Sequence, residues 1–265
     1  MSSNFDRDTA VTDLGDGRYG AGISDRWNIQ DVPNGGYLMA VAARALRERL
    51  PHPDPFTITG HFFNPIAPGS VEIETDILKS GKTLSYAEAR VRQADAERLR
   101  ITAAYGDLDA RRGLDHGTEG PPSIPAIEDC VPAKIPLRFF ESVDVAFNPD
   151  TADWLRGENS EACELSGWAR FADGREPDIL SLILFADGFP PPIFRKTGPV
   201  AWVPTVELTV QIRARPCPGP LRCRFRTRFV TGGFAEEDGE IWDTEGRLVA
   251  LSRQLETIRL PSDRR

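Results

Sequence analysis

Apolar positions are densest between residues 37 and 43, where Tyr37, Leu38, Met39, Ala40, Val41, Ala42 and Ala43 follow one another without a polar side chain. Asn34, just ahead of the run, is an N-cap residue type, and Gly35 and Gly36 allow backbone or ligand to approach the first turn closely. The pattern predicts a helix from Gly35 to Leu50, stopped at Pro51, with Arg44, Arg47, Glu48 and Arg49 bringing charge only to its last turn. A helix apolar on every face must be enclosed. The chain beyond Pro51 is strand-like. Residues 56–65 are β-rich, Pro68-Gly69 makes a turn, and Val71, Ile73, Thr75 and Ile77 then alternate with Glu72, Glu74 and Asp76. Turns at 79–82 and 94–97 lead into further strands at 84–93 and 99–105, so a sheet curled around the helix is expected.

Ahead of the helix, residues 10–30 alternate around Asp16-Gly17, a hairpin dipeptide. Gly15, Gly17 and Gly20 spell GxGxxG, but residues 21–27 read as a return strand rather than the helix a dinucleotide site needs. Residues 106–136 are rich in Gly, Pro and Asp without periodicity and read as a linker. Beyond them the order repeats. A mostly apolar helix capped by Asp178 and stopped at Gly188 precedes a strand at 205–215, a Pro218-Gly219 turn, and Leu221, Cys223, Phe225 and Thr227 on one parity. Strands at 235–243 and 248–260 complete the second meander. The two series lie about 150 residues apart, which implies two like domains related by a pseudo-twofold, at 1–105 and 137–265. The outward parity is acidic in one half (Glu72, Glu74, Asp76) and basic in the other (Arg222, Arg224, Arg226, Arg228), so the stripes are expected to meet across the join or a subunit contact.

Composition narrows the function. The 265 residues are 40% hydrophobic and 27% charged, enough for two ordinary cores, and the net charge of −8 argues against a nucleic-acid partner. No apolar stretch reaches membrane-spanning length and no leader is visible, so a cytoplasmic protein is expected. Cys130, Cys163, Cys217 and Cys223 have no metal-ligand spacing and read as reduced thiols. Neither a metal nor a cofactor is called for.

Nucleophile signatures are missing: there is no GxSxG, and His52, His61 and His116 are scattered. His61, on a strand among aromatics, reads as core or interface rather than base. Polar residues in apolar elements are more telling. Asp187 closes an apolar run at a helix C-terminus, where the helix dipole disfavours a carboxylate and burial would raise its pKa, properties that suit proton handling. Thr205 begins a strand and Gln254 lies in a late one; the residues alone leave open whether the fold assembles the three.

Five stretches carry a resemblance: Val32-Pro-Asn-Gly-Gly-Tyr-Leu, His61-Phe-Phe-Asn-Pro-Ile-Ala-Pro-Gly, Phe185-Ala-Asp-Gly-Phe-Pro-Pro, Pro204-Thr-Val-Glu-Leu-Thr-Val, and residues 239–254 ending in Leu-Ser-Arg-Gln254. In this order and spacing the chain resembles the double-hotdog acyl-CoA thioesterases of the bacterial thioesterase II type, an α+β fold of two tandem hotdogs. The resemblance implies hydrolysis of acyl-CoA without a covalent intermediate, with Asp187 activating a water that Thr205 and Gln254 orient. It places Asn34, Gly35, Gly36 and His61 on the substrate-binding side, with the Gly35-Gly36 helix start as a source of oxyanion donors. Glu207 departs from the family's usual Asp and is expected to alter the pocket floor. The first helix has no counterpart of Asp187, so one active site per chain is expected. Dimers or larger homo-oligomers are expected from exposed strand edges. The rivals are a silent acyl-CoA or acyl-carrier binder on the same fold and a hotdog hydratase or dehydratase; the latter usually has a His near its Asp, which Asp187 lacks.

Overall fold

Helix formation at residues 35–49 results from the apolar run and its cap. In the computed structural model, which describes residues 3–199 and 202–260, α1 spans Gly35–Arg49, and the Asn34 side chain accepts the Tyr37 N–H at its N-cap. Gly36 through Ala43, Ala45 and Leu46 are all buried, as a helix without a wet face requires. Its wrapper is antiparallel: β1 (Val11–Gly15), β2 (Arg18–Ile23), β3 (Asp54–Phe62), β4 (Gly69–Ser80), β5 (Ser85–Gln93) and β6 (Ala96–Gly106). The β1–β2 hairpin turns through Asp16 and Gly17 at φ 52° and 74°, the left-handed pair that suits the twist of a hairpin. The GxGxxG glycines therefore belong to this hairpin.

The second half supplies β7 (Val143–Phe147), β8 (Glu164–Phe171), α2 (Ile179–Phe185), β9 (Thr205–Ile212), β10 (Leu221–Arg226), β11 (Phe234–Trp242) and β12 (Leu248–Thr257). Strands β7 and β8 have no counterpart in the sequence reading, because the long connection 148–163 hides their pairing. Residues 106–136, read as a linker, carry a short strand, Val131–Pro132, that pairs with β7.

All the long strands lie in one sheet, in the order β1-β2-β4-β5-β6-β3-β9-β12-β11-β10-β8-β7. The order reads the same from either end when each strand is replaced by its repeat equivalent. The centre of that symmetry is the β3–β9 pair, where Thr59 is in register with Thr209 and their hydroxyls are 2.8 Å apart. Each half is thus a helix wrapped by an antiparallel sheet, and the fold is an α+β double hotdog.

The charge stripes do not meet within the chain. Between β4 and β10 lie six strands, and each stripe is paired inside its own half: Glu72 with Arg18, Glu74 with Arg92 and Asp76 with Arg90, against Arg224 and Arg226 with Glu240 and Arg228 with Asp238. Arg222 stacks on Trp168 instead. Opposite charges on adjacent strands are nearer partners than those across the join. All four cysteines are free.

Candidate active site

The site forms where the two central helices meet. Helix α2 starts at a capping box, Asp178 with Ser181, is buried along its whole length, and ends at Phe185. Asp187 lies in the turn beyond it, against the first turn of α1. Both glycines there are set by crowding. A Cβ on Gly36 would stand 2.6 Å from the Ile183 carbonyl oxygen, and one on Gly35 would stand 2.9 Å from the Phe62 ring. Close approach lets the Gly36 N–H donate to Asp187 Oδ2 at 2.9 Å, while Asn34 Nδ2 donates to the same oxygen at 2.8 Å and to the Asp187 carbonyl at 2.7 Å. Burial pushes the carboxyl up to about 6, and the donors of Gly36, Gly35 and Asn34 work against that rise.

Two sequence expectations change here. The Asp187 carboxylate is not exposed to an adverse dipole alone: the favourable end of the other half's helix holds it, a contact no local reading could show. The Gly36 N–H and the Asn34 amide are therefore committed to Asp187 rather than free for an oxyanion or a substrate.

Thr205 reaches the site through an irregularity. Thr205 pairs with Glu256 but Glu207 with Leu255, so β9 carries one extra residue and its parity switches there. Leu208, Val210 and Ile212 face the core, and the bulge turns Thr205 inward as well while Glu207 points to the outer face, beside Thr209 and opposite His61. Glu207 therefore does not form the pocket floor. The Thr205 hydroxyl donates to Gln254 Oε1 at 3.0 Å, and Gln254 Nε2 donates to Glu237 Oε1 at 2.8 Å.

A cavity of about 780 Å³ opens over these groups and is lined by Asn34, Gly35, Asp187, Thr205 and Gln254, with a mostly apolar wall that includes Phe62, Phe140, Trp154 and Phe194. Its size falls in the range of about 300–1,000 Å³ typical of small-ligand sites. The structure thus brings the three candidate catalytic side chains to one cavity. His61 is left out. Ile58 and Gly60 face inward on β3, so strand alternation sends His61 to the exposed outer face, away from the cavity. Its assignment to substrate binding is corrected accordingly.

Two residues escaped the sequence reading. Glu237 and Glu256 are 4% and 2% exposed, with Glu256 lining the cavity beside Gln254. Burial and mutual repulsion push Glu237 well above the usual carboxylate range, and burial with the nearby Asp187 charge pushes Glu256 up to about 8. Parity held the signal. Arg253 must face solvent, so Gln254 and Glu256, both on the opposite parity, face inward, and Ala235, Glu237, Gly239 and Ile241 share the inward parity of β11. Among the described residues no group of three or more His, Cys, Asp or Glu side chains is placed to hold a metal ion, and no helix is long and apolar enough to cross a membrane.

Comparison with known proteins bears on both halves. Residues 23–106 match the acyl-CoA thioesterase N-terminal domain model and residues 118–258 the C-terminal domain model. A crystal structure from Thermobifida fusca, provisionally designated a thioesterase II, is 34% identical and superposes with a TM-score of 0.90 over 97% of each chain. A protein of Alicyclobacillus acidocaldarius, of unknown function and described as having the hot dog fold, superposes at 0.88 with 22% identity, covering 98% of this chain and all of that one. An uncharacterised protein of Mycobacterium tuberculosis is 24% identical over 89% of each chain. With both domain models matched in order, and a designated thioesterase II alike along almost its whole length, the chain belongs to the acyl-CoA thioesterase family of the double-hotdog, thioesterase II type.

Proposed function

We propose that this protein hydrolyses acyl-CoA to the free acid and CoA with a water activated by Asp187, without a covalent intermediate. The observation that carries the reading is the Asp187 carboxylate, held by neutral donors at the junction of the two helices and facing the cavity. A carboxyl near 6 is ionised at neutral pH yet basic enough to take a proton. Because the Thr205 hydroxyl spends its hydrogen on Gln254, its oxygen remains free to accept from the water, while Asp187 accepts the other hydrogen. The water's lone pair is then left for the thioester carbon, and position replaces a covalent nucleophile. The apolar wall suits the acyl chain, and Arg98, Lys134 and Arg259, which also line the cavity, complement the phosphates of CoA.

The test is thioester hydrolysis across acyl-CoAs of increasing length, for the native chain and Asp187→Asn. Turnover that collapses in the variant supports the hydrolase and its base, and the length profile sizes the pocket. Tight acyl-CoA binding with no turnover in the native chain would replace this reading with a silent binder. A cytoplasmic homo-oligomer is part of the proposal, supported by Phe229, Val230 and Phe234, which are exposed together at one hairpin. A monomer by light scattering at working concentrations would remove that part alone.

A further inference from the structure

Addition of water to a thioester places negative charge on the carbonyl oxygen, and that oxygen needs hydrogen-bond donors aimed at it. The donors around Asp187 are nearly all spent. Both hydrogens of the Asn34 amide go to Asp187, as does the Gly36 N–H; the Thr205 hydroxyl goes to Gln254, and one Gln254 N–H goes to Glu237. Beside them stands Glu256. It is opposite Thr205 in the sheet, two residues beyond Gln254 and so on the same face, and it lines the same cavity. It is 2% exposed, and one of its carboxyl oxygens is fully enclosed with no hydrogen-bond partner. No donor stabilises a negative charge on that oxygen, which favours the neutral acid, while the residue itself lines the cavity.

The charge state is set by the surroundings. Glu256 faces Asp187 from the α2 turn and Glu237 from β11. No cation is among the groups that set the charge of these three carboxyls, although Arg98, Lys134 and Arg259 line the cavity. Enclosed carboxyls without a cation cannot all ionise. Asp187 Oδ2 accepts from two neutral donors, Glu237 from the Gln254 amide only, and Glu256 from none among the described residues, so Asp187 carries the charge and leaves its neighbours as acids. A neutral carboxylic acid is an O–H donor, and apolar sites that keep a carboxyl protonated at pH 7 for this purpose are an established catalytic pattern.

We propose that Glu256 is a second catalytic carboxyl, whose O–H donates to the thioester carbonyl oxygen and holds the oxyanion formed when the Asp187-activated water adds. This rests on the hydrolase reading above. In the addition, the water oxygen bonds to the carbonyl carbon, the π electrons move to the oxygen facing Glu256, and the water's proton passes to Asp187. In the collapse, the C–S bond breaks and the sulfur takes that proton, giving acid and thiol. Glu256 keeps its own proton throughout.

The experiment compares Glu256→Ala and Glu256→Gln with the native chain, using three readouts: turnover, binding of a trifluoromethyl-ketone analogue of acyl-CoA, and binding of an S-alkyl-CoA thioether without a carbonyl. Glu256→Ala is expected to lower kcat about 100-fold and to weaken the ketone by a similar factor, leaving KM and the thioether unchanged. Glu256→Gln, still an N–H donor, is expected to stay within about fivefold of the native chain. Native turnover is expected to fall above pH about 8, as Glu256 loses its proton, and that fall is expected to vanish in Glu256→Gln. Thioether binding in each variant reports an intact fold. Full turnover in Glu256→Ala, equal loss of ketone and thioether binding, or a Gln variant as impaired as Ala would each overturn the proposal. An inactive native chain would remove the hydrolase reading with it, whereas an active chain indifferent to Glu256→Ala would remove this inference only.

Discussion

The two ends of the helix pair place carboxyl groups in opposite circumstances. At one end Asp187 meets only neutral donors, the Asn34 amide and the Gly36 N–H, and burial drives its pKa up to about 6. At the other, Arg175 donates to Asp6 at 2.7 Å and to Asp178, the cap of α2, at 2.8 Å, with Arg44 3.8 Å from Asp6. There the Arg175 guanidinium also lies over the Phe5 and Phe171 rings, and its hydrogen bond holds Asp6 below the usual carboxylate range. The difference is the cation. A carboxylate beside guanidinium is a poor base and a good fastener; one held by amides in a closed site keeps its basicity. The fold repeats, but the arginine stands at only one end, which gives a physical ground for one site per chain.

The largest effect expected comes from breaking the basic end. Asp187→Asn keeps the shape and removes the base, and kcat is expected to fall about 10²–10⁴-fold, measured as CoA release. The same variant tests the energetic side. Because the folded-state pKa is raised, ionised Asp187 opposes folding; this cost is full above the folded-state value of about 6 and fades as pH falls from there to the unfolded value. Asp187→Asn is therefore expected to be more stable than the native chain by about 1–3 kcal/mol at pH 7, with the gap closing near pH 4, as read by urea unfolding. Equal stability at both pH values would contradict the burial argument.

How much of this end was legible depends on the range of each signal. Helix α1, its Asn34 cap and the Asp187, Thr205 and Gln254 trio lie in local patterns or in motifs of fixed spacing. The seat of Asp187 on the α1 N-terminus joins residues 151 apart, so only tertiary structure could show that the dipole sign reverses. Thr205 turns inward through a bulge, which alternation alone cannot register. Glu237 and Glu256 have the residue type of a solvated face, and strand parity points to them only once Arg253 is fixed outward. The pocket wall drew on Lys134 and Ile135, from the stretch that has no periodicity to read, and on Phe139 and Phe140 just beyond it.

Crowding at the junction provides the next test. Gly36→Ala places a methyl 2.6 Å from the Ile183 carbonyl oxygen and 2.9 Å from Asp187 Cβ, so the two helices must separate. Misplacing the base in this way is expected to lower kcat about 10–100-fold and stability by roughly 1–3 kcal/mol. An alanine variant with native turnover would show that the Gly36–Asp187 bond does not position the base. The acid limb comes next: kcat/KM is expected to fall tenfold per unit below pH about 6, since the base must be ionised. A limb near pH 4 would mean that burial leaves the Asp187 carboxyl in the ordinary carboxylate range.

That other end is expected to respond in stability alone. Arg175→Met leaves the phenyl rings covered and removes the charge from Asp6 and Asp178. Both carboxyls are about 40% exposed, so water takes over much of the lost interaction. The cost is expected to be about 1 kcal/mol with kcat unchanged. A large loss of turnover would mean that the closed end helps to hold the open one in place.

The smallest effect belongs to the symmetry centre. Thr209 donates to Glu207, so the Thr59 hydroxyl donates to Thr209, and Thr59→Val removes that single bond at constant shape. The loss is expected to be about 0.5–1 kcal/mol, read by denaturant midpoint, with kcat and pH profile unchanged. Thr59 and Thr209 share the outer face of the join with Glu207, on the far side of the sheet from Asp187. A change in turnover would therefore require the β3–β9 pairing to govern the distance between the helices. If turnover stays fixed, the pairing that both halves share maintains the sheet, and the chemistry resides where the halves differ.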